Sequence, residues 1–173
     1  MKTILVTGGI ASGKSEVCRY LASKGLPVYD SDSRTKALYG SVPGLVERIE
    51  AAIGVPFAQI GVIFSDRTRR EALEAVVYPE VIRDFEAWRA EQEGAETVFL
   101  ESAIAAEKPQ LRCLYDRILL IHAPLEERLK RNPKTAGRLS AQSPQSIRAD
   151  HTIDNDGSLE ALHKKIDAYL KTL

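Results

Sequence analysis

No apolar run in this chain approaches the ~20 residues that a helix needs to cross a bilayer. The N-terminus enters a strand-like segment directly, without the basic and apolar regions of a signal peptide. Both absences predict a cytoplasmic protein with no membrane partner. An excess of charge is missing too: 24 basic side chains face 24 acidic ones, so no global field draws the protein onto nucleic acid or an anionic surface. Cysteine is scarce, with only Cys18 and Cys113. They are far apart and lie in patterns of buried helix positions, which speaks against a disulfide or a metal site and predicts two small core residues. The three histidines are not at ligand spacing. Internal repeats, coiled-coil heptads and linkers are absent as well. What remains, 173 residues with 44% hydrophobic content, suits one domain spanning 1–173 with insertions.

The most informative stretch present is 4–15, ILVTGGIASGKS. An apolar run of strand composition leads into Gly8, Gly13, Lys14 and Ser15, the pattern GxxxxGK(S/T) of a phosphate-binding P-loop. Glycines let successive backbone N–H groups point inward around a phosphate, and the following helix offers its positive end to the same charge. Lys14 adds a mobile cation for the β- and γ-phosphates of ATP, Ser15 a hydroxyl for Mg²⁺, and Gly9 and Ala11 leave room for the anion. An ordinary strand-turn-helix joint is the bland alternative. Context argues against it, because 3–7 reads as a buried strand and 16–24 carries Val17, Cys18, Leu21 and Ala22 in a helical stripe closed by Gly25.

Further along, 26–29 is a short strand ending in Asp30, Ser31 and Asp32. Strand ends beside a P-loop share one crevice in a parallel sheet, so Asp32 is a candidate catalytic carboxylate, and equally a plain helix cap. A helical pattern is expected over 41–53, a looser stretch over 54–66, then an amphipathic run over 67–93 that Pro79 should end or kink into two helices meeting near Tyr78. Arg69, Arg70 and Arg83 read as a solvated face. The strand 97–100 ends in Glu101, a candidate metal ligand through water or a partner for a lysine. Glu107 and Lys108 fall in a loop, and 117–122 makes a fourth strand. Beyond Pro124 come a basic helix and a polar segment, 132–146, with the character of a lid, whose Arg128, Lys130, Arg131 and Arg138 bring positive charge over the transferring phosphate. A short strand at 151–153, a turn at Asn155 to Gly157 and a helix over 159–170 capped by Ser158 complete the chain. Strands alternating with helices predict an α/β, doubly wound parallel sheet of about five strands, with ligands at the carboxyl ends of the strands.

Assembled in order, these segments resemble the dephospho-coenzyme A kinase family of P-loop kinases over nearly the full chain. TGGIASGKS (7–15) is similar to the family's TGGIGSGKS, and VYDSD (28–32) to its strand ending in Asp-x-Asp. LEAVVYPEV (73–81) looks like the LxxxxHP segment, FLESAIAAE (99–107) like the acidic residue followed by PLLFE, RLSAQ (138–142) like the lid's RxxxQ, and ADHTIDNDGSLEAL (149–162) like ADxxIxNxGxxxxL. The resemblance implies transfer of the γ-phosphoryl group of ATP, with Mg²⁺, to the ribose 3′-hydroxyl of dephospho-coenzyme A. It implies a helical acceptor-binding region over 33–95 and a short lid over 128–148.

Carried over by position, Asp32 is the residue that orients or deprotonates the acceptor hydroxyl, while Lys14 and Arg138 complete the catalytic set. The resemblance gives the ATP site Gly8, Gly9, Ile10, Ala11, Ser12, Gly13, Lys14 and Ser15, together with Asn155 and Gly157 in a loop approaching adenine. Asp32, Tyr78, Glu107 and Gln142 belong to the acceptor, and Ser15 and Glu101 to the metal. The chain also departs from the pattern. Tyr78 stands where the family usually has His, Ala105 and Ala106 replace the bulky Leu-Phe, and Lys36 replaces a common Arg. The stretch 131–138 is several residues short and lacks the usual Arg-Asp pair. Two other readings stay open: another P-loop kinase acting on a nucleoside, a nucleotide or a small alcohol, and a nucleotide-binding module without transferase activity.

Overall fold

A computed structural model describes residues 1–133 and 147–173. In chain order it contains β1 (Lys2–Thr7), α1 (Lys14–Ser23), β2 (Val28–Asp30), α2 (Ser31–Ser41), α3 (Leu45–Ile53), a 3₁₀ run (Phe57–Ser65) and α4 (Arg67–Ala90). There follow β3 (Thr97–Glu101), two 3₁₀ turns (Ala105–Glu107 and Pro109–Leu114), β4 (Arg117–His122), α5 (Leu125–Arg131), β5 (His151–Asp154) and α6 (Leu159–Leu170). The chain divides into two compact units, one of residues 1–30 with 92–173 and a helical one, Ser31–Glu91.

The first unit is built on a five-stranded sheet in the order β2-β3-β1-β4-β5. Every neighbouring pair is parallel, with Leu5 opposite both Leu100 and Ile118. Such a strand is shielded on both faces and reads as a continuous apolar run. Ile4, Leu5 and Val6 of β1 and Val98 and Phe99 of β3 are accordingly sealed from solvent. On one face, Val17, Cys18 and Leu21 of α1 and Leu162, Ile166 and Tyr169 of α6 pack with Ile4, Val6, Phe99, Leu119, Ile121 and Ile153. The i, i+4, i+7 spacing of the α6 residues makes this stripe. Tyr20 stacks on His163 with ring centroids 3.8 Å apart, and its hydroxyl donates to Asp167 at 2.9 Å, which joins α1 to α6 at the rim of the core. Two carboxylates extend the ladders at strand starts: Asp116 accepts from Thr3 N and Asp150 from Ile118 N, each at 2.7 Å. Because successive strands fall on either side of β1, the crevice at its carboxyl end is the switch point where ligands of such sheets bind.

The helical unit has its own core of Leu38, Leu45, Ile49, Ile53, Ile63, Val77 and Val81. Leu45, Ile49 and Ile53 recur every four residues along α3 and form its buried stripe. Here the structure departs from the sequence-based expectation in two places. Residues 67–90 form one helix with Pro79 inside it, not two meeting at Tyr78. Proline deprives the Ala75 carbonyl of its donor, but Val77, Tyr78, Val81 and Phe85 flank it and are all buried. Burying each such side chain gains roughly 1.5–3 kcal/mol, enough to hold the helix across the defect. The stretch expected to be loose contains the 3₁₀ run Phe57–Ser65, pinned where Phe57 N donates to the Glu50 carboxylate at 2.7 Å.

Two smaller corrections concern the first unit. Cys18 is buried as expected, but Cys113 is exposed. In its 3₁₀ turn the buried positions are Leu111 and Leu114, three apart as that helix repeats, which leaves residue 113 outside the inward row. Glu107 closes a short 3₁₀ turn where a plain loop was expected. Ser158 caps α6 as the sequence predicts, its hydroxyl accepting from Ala161 N at 3.2 Å. No helix among the described residues is long and apolar enough to cross a membrane.

One buried ion pair makes the helical unit sensitive to acid. Glu80 on α4 is only 5% exposed. It accepts from Arg48 of α3 at 2.7 Å and pairs through its other oxygen with Arg83. The Arg48 hydrogen bond chiefly, with the Arg83 charge behind it, holds this carboxyl below its ordinary range against the opposing effect of burial. A carboxyl with a lowered folded-state pKa gives its full stabilisation above the unfolded value near 4.3 and loses it as pH falls through the folded value. Glu80→Gln is expected to cost about 1–3 kcal/mol at neutral pH and to flatten the acid limb of a stability profile measured by denaturant unfolding. An acid limb identical to that of the parent protein would remove Glu80 from this account.

Candidate active site

The phosphate-binding stretch occupies the crevice after β1. Gly13 precedes α1 in the left-handed region, at φ 104°. Its Cα lies under the Asn155 carboxamide, into which a Cβ would run, so only glycine fits there. Gly13 O then accepts from both Glu16 N and Val17 N at 3.1 Å, starting the helix whose positive end faces the loop. Lys14, in the first turn of α1, donates to Gly8 O at 2.9 Å and Gly9 O at 3.2 Å. Ser12 N closes the turn on Gly9 O at 3.1 Å. The Ser12 hydroxyl is buried without a hydrogen-bond partner in the structure.

Ser15 and Glu101 meet. The pairing of β1 with β3 sets Val6 opposite Glu101, and the Ser15 hydroxyl donates to Glu101 Oε1 at 2.8 Å. A hydroxyl and a carboxylate oxygen side by side are the hard donors that Mg²⁺ takes when most of its remaining shell is water and phosphate. Among the described residues no group of three or more His, Cys, Asp or Glu side chains is placed to hold a metal alone. Burial, followed by the Glu101 carboxylate, pushes the Cys18 thiol of α1 far above its ordinary pKa, so it stays protonated and unreactive.

Two arginines meet the loop itself. Arg128 and Arg131 were expected over a transferring phosphate, and both reach from α5 to carbonyl oxygens of the loop. Arg128 Nε donates to Ile10 O at 2.7 Å, and its guanidinium fills the space that a side chain at residue 9 would take. Gly9 therefore makes room for an arginine. Arg131 donates to Asn155 O at 2.9 Å and lies 3.5 and 3.4 Å from Ala11 O and Ser12 O. The signal was available in the i, i+3 spacing, which sets both on one side of the helix. Lys130 instead pairs with Glu126 and Glu127 on the same helix.

Of the other predicted residues, Asn155 is 7% exposed, and its carboxamide donates to Ser12 O at 2.8 Å. Gly157 is exposed two residues later. Glu107, also exposed, lines a cavity of about 450 Å³ with Arg112, Tyr115 and Arg148. In the helical unit, Asp32 is exposed in the first turn of α2, where the helix dipole favours a carboxylate. Tyr78 on α4 is buried and its hydroxyl has no hydrogen-bond partner in the structure. Burial, then the Glu74 carboxylate, pushes this phenol well above its usual range. Arg138 and Gln142 lie outside the described residues.

A parallel sheet in the order 2-3-1-4-5, with GxxxxGKS after its central strand and a helix N-terminus behind it, has the P-loop kinase fold. A family model described as dephospho-CoA kinase matches residues 58–161. The dephospho-CoA kinase of Porphyromonas gingivalis is 35% identical, the match covering 90% of this chain and 86% of that protein. The chain belongs to the dephospho-CoA kinase family. A crystal structure from Thermus thermophilus is similar at a TM-score of 0.82 with 36% identity, over 99% of this chain and 97% of that one. The dephospho-CoA kinase of Campylobacter jejuni, at 19% identity and a TM-score of 0.67 over 99% and 96%, shares the fold.

Ala11 is the one non-glycine residue with positive φ among those described, at 61°. An L-residue in that region costs roughly 1–2 kcal/mol, whereas glycine there gives back about 0.5–1 kcal/mol in unfolded-state entropy. Ala11→Gly is expected to stabilise the protein by about 0.5–1 kcal/mol in denaturant unfolding. A loss of stability would show that the methyl group makes contacts worth more than the backbone cost.

Proposed function

We propose that this chain transfers the γ-phosphoryl group of ATP to the ribose 3′-hydroxyl of dephospho-coenzyme A, giving coenzyme A and ADP. The observation that carries the reading is the glycine-containing loop with Lys14 at its helix start and Ser15 2.8 Å from Glu101, in a chain whose relatives are kinases for this acceptor. Phosphoryl transfer through a loose transition state needs alignment and positive charge more than covalent chemistry. Backbone N–H groups of residues 8–15 other than that of Ser12, which closes the turn on Gly9 O, bind the phosphates of ATP together with the α1 N-terminus, and the Lys14 ammonium adds a cation for the phosphate oxygens. Mg²⁺, the metal that suits Ser15 and Glu101, would neutralise charge on the β- and γ-phosphates.

Asp32 accepts the proton of the acceptor hydroxyl as that oxygen bonds to phosphorus and ADP departs. Its exposure at the start of α2 supports this role. Tyr78 carries a buried hydroxyl without a partner in the structure, a group that an acceptor's polar atom can satisfy; Glu107 and Gln142 complete the acceptor set. Residues 33–95 are the acceptor-binding region and 128–148 the lid, from which Arg138 supplies charge to the transferring group. The turn from Asn155 to Gly157 borders the adenine. The protein is cytoplasmic, and neither nucleic acid nor a membrane is its partner.

Incubated with Mg·ATP, the protein is expected to form ADP with dephospho-coenzyme A and not with adenosine or AMP. ADP formed with another acceptor, or with none, would overturn the acceptor; no ADP at all would favour a binding module. Asp32→Asn is expected to lower turnover by ~10² or more while leaving ATP affinity within a few fold. Equal loss of binding and turnover would make Asp32 structural.

A further inference from the structure

Backbone N–H groups that converge on an anion leave their carbonyl oxygens facing the other way, and in a partly buried loop each must find a donor. In this loop the donors to Ile10 O, Ala11 O and Ser12 O come from one small assembly. Asn155 sits at its centre with three of its polar groups engaged. Its N–H donates to His122 O at 2.7 Å, which fixes the residue to the end of β4. Its carbonyl accepts from Arg131 Nη2 at 2.9 Å, and its carboxamide donates to Ser12 O at 2.8 Å. The same carboxamide covers Gly13, the residue that starts α1 and precedes Lys14. Arg131 Nη1 extends the assembly toward Ala11 O and Ser12 O, and Arg128 ties down Ile10 O at 2.7 Å.

We infer that Asn155 is a positioning residue of the phosphate-binding loop, acting with Arg131 as a unit, and that its side chain does not read the nucleotide base. The inference rests on the phosphate-binding reading of the loop and is independent of the acceptor. The residue is 7% exposed, and its carboxamide nitrogen donates to Ser12 O and covers Gly13, so turning the side chain toward a base would cost the loop that hydrogen bond. Ser12 O is a poor acceptor to abandon: without the carboxamide it would be a buried carbonyl lacking a strong donor, and residues 11–13 would turn to seek solvent. That turn would swing the N–H groups of the same peptides away from the phosphates.

The test is binding without acceptor, measured by displacement of a fluorescent ADP analogue, with Mg·ATP, Mg·GTP and Mg·tripolyphosphate as competitors. Asn155→Ala is expected to weaken all three by about the same factor, near tenfold, and to leave the ATP-to-GTP preference at its parent value. Tripolyphosphate carries no base, so unchanged tripolyphosphate affinity beside weakened ATP affinity would overturn the inference, as would a collapse of the ATP-to-GTP preference. Arg131→Met removes the solvent-side partner and leaves the buried carboxamide in place, so it tests the same unit if the first variant folds poorly. It is expected to weaken tripolyphosphate in the same direction by a smaller factor. Where the double variant is folded, its loss should not exceed that of Asn155→Ala by more than about twofold. Losses that multiply would mean that Arg131 meets the phosphates directly and that no unit exists.

Discussion

Everything at this site depends on one constraint of backbone chemistry: a peptide cannot aim its N–H at a ligand without aiming its C=O away from it. A loop that donates several amides to one phosphate chain presents as many carbonyls to its surroundings. The fold answers from three directions. Lys14 takes Gly8 O and Gly9 O from within the loop, Arg128 takes Ile10 O from α5, and Asn155 takes Ser12 O from the turn after β5. Two of these donors come from elements well over a hundred residues downstream. The loop is local in sequence, but what holds its shape is supplied by the end of the chain.

The sheet places those donors. β1 lies between β3 and β4, so the loop that follows it is bordered by Glu101 at the end of β3 and by the β4 exit leading into α5. The ladder from β4 to β5 sets His122 opposite Asp154 and delivers Asn155 one residue later. Parallel pairing brings these carboxyl ends to one edge, and a shift of two residues along β5 would carry Asn155 about 7 Å out of reach. The helical unit, by contrast, relies on its own core and on the charges around Glu80.

The fold was legible because its signals are local and redundant. β1, β3 and β4 are built on apolar runs, β1 ended by the glycine loop and β3 by Glu101, and α1 and α6 carry both a stripe and a terminal signal, Gly25 and Ser158. Ser15 with Glu101 was legible for the same reason, since both sit at strand or loop ends that a parallel sheet must gather. What could not be read depends on distant partners. Pro79 inside α4 is tolerated by packing that no window of sequence contains. Cys113 looked buried because an apolar neighbourhood was read with helical periodicity where the turn is 3₁₀. The i, i+3 spacing sets Arg128 and Arg131 on one side of α5, but which loop carbonyls they meet is not legible, because a sequence shows that they are cations and not that those carbonyls need donors.

The two thiols, unremarkable in themselves, give the molecule a built-in reporter. Cys113 is open to solvent, while Cys18 lies on the face of α1 that packs against the sheet, its thiol held protonated by burial and by the Glu101 carboxylate. An alkylating reagent reaches the first directly, and the second only when α1 lifts from the sheet. The modification rate at Cys18 therefore reads the local opening free energy of the helix that begins at Lys14. A nucleotide held by that helix's N-terminus should slow it, so occupancy of the loop is written into the chemistry of a residue that never touches the ligand.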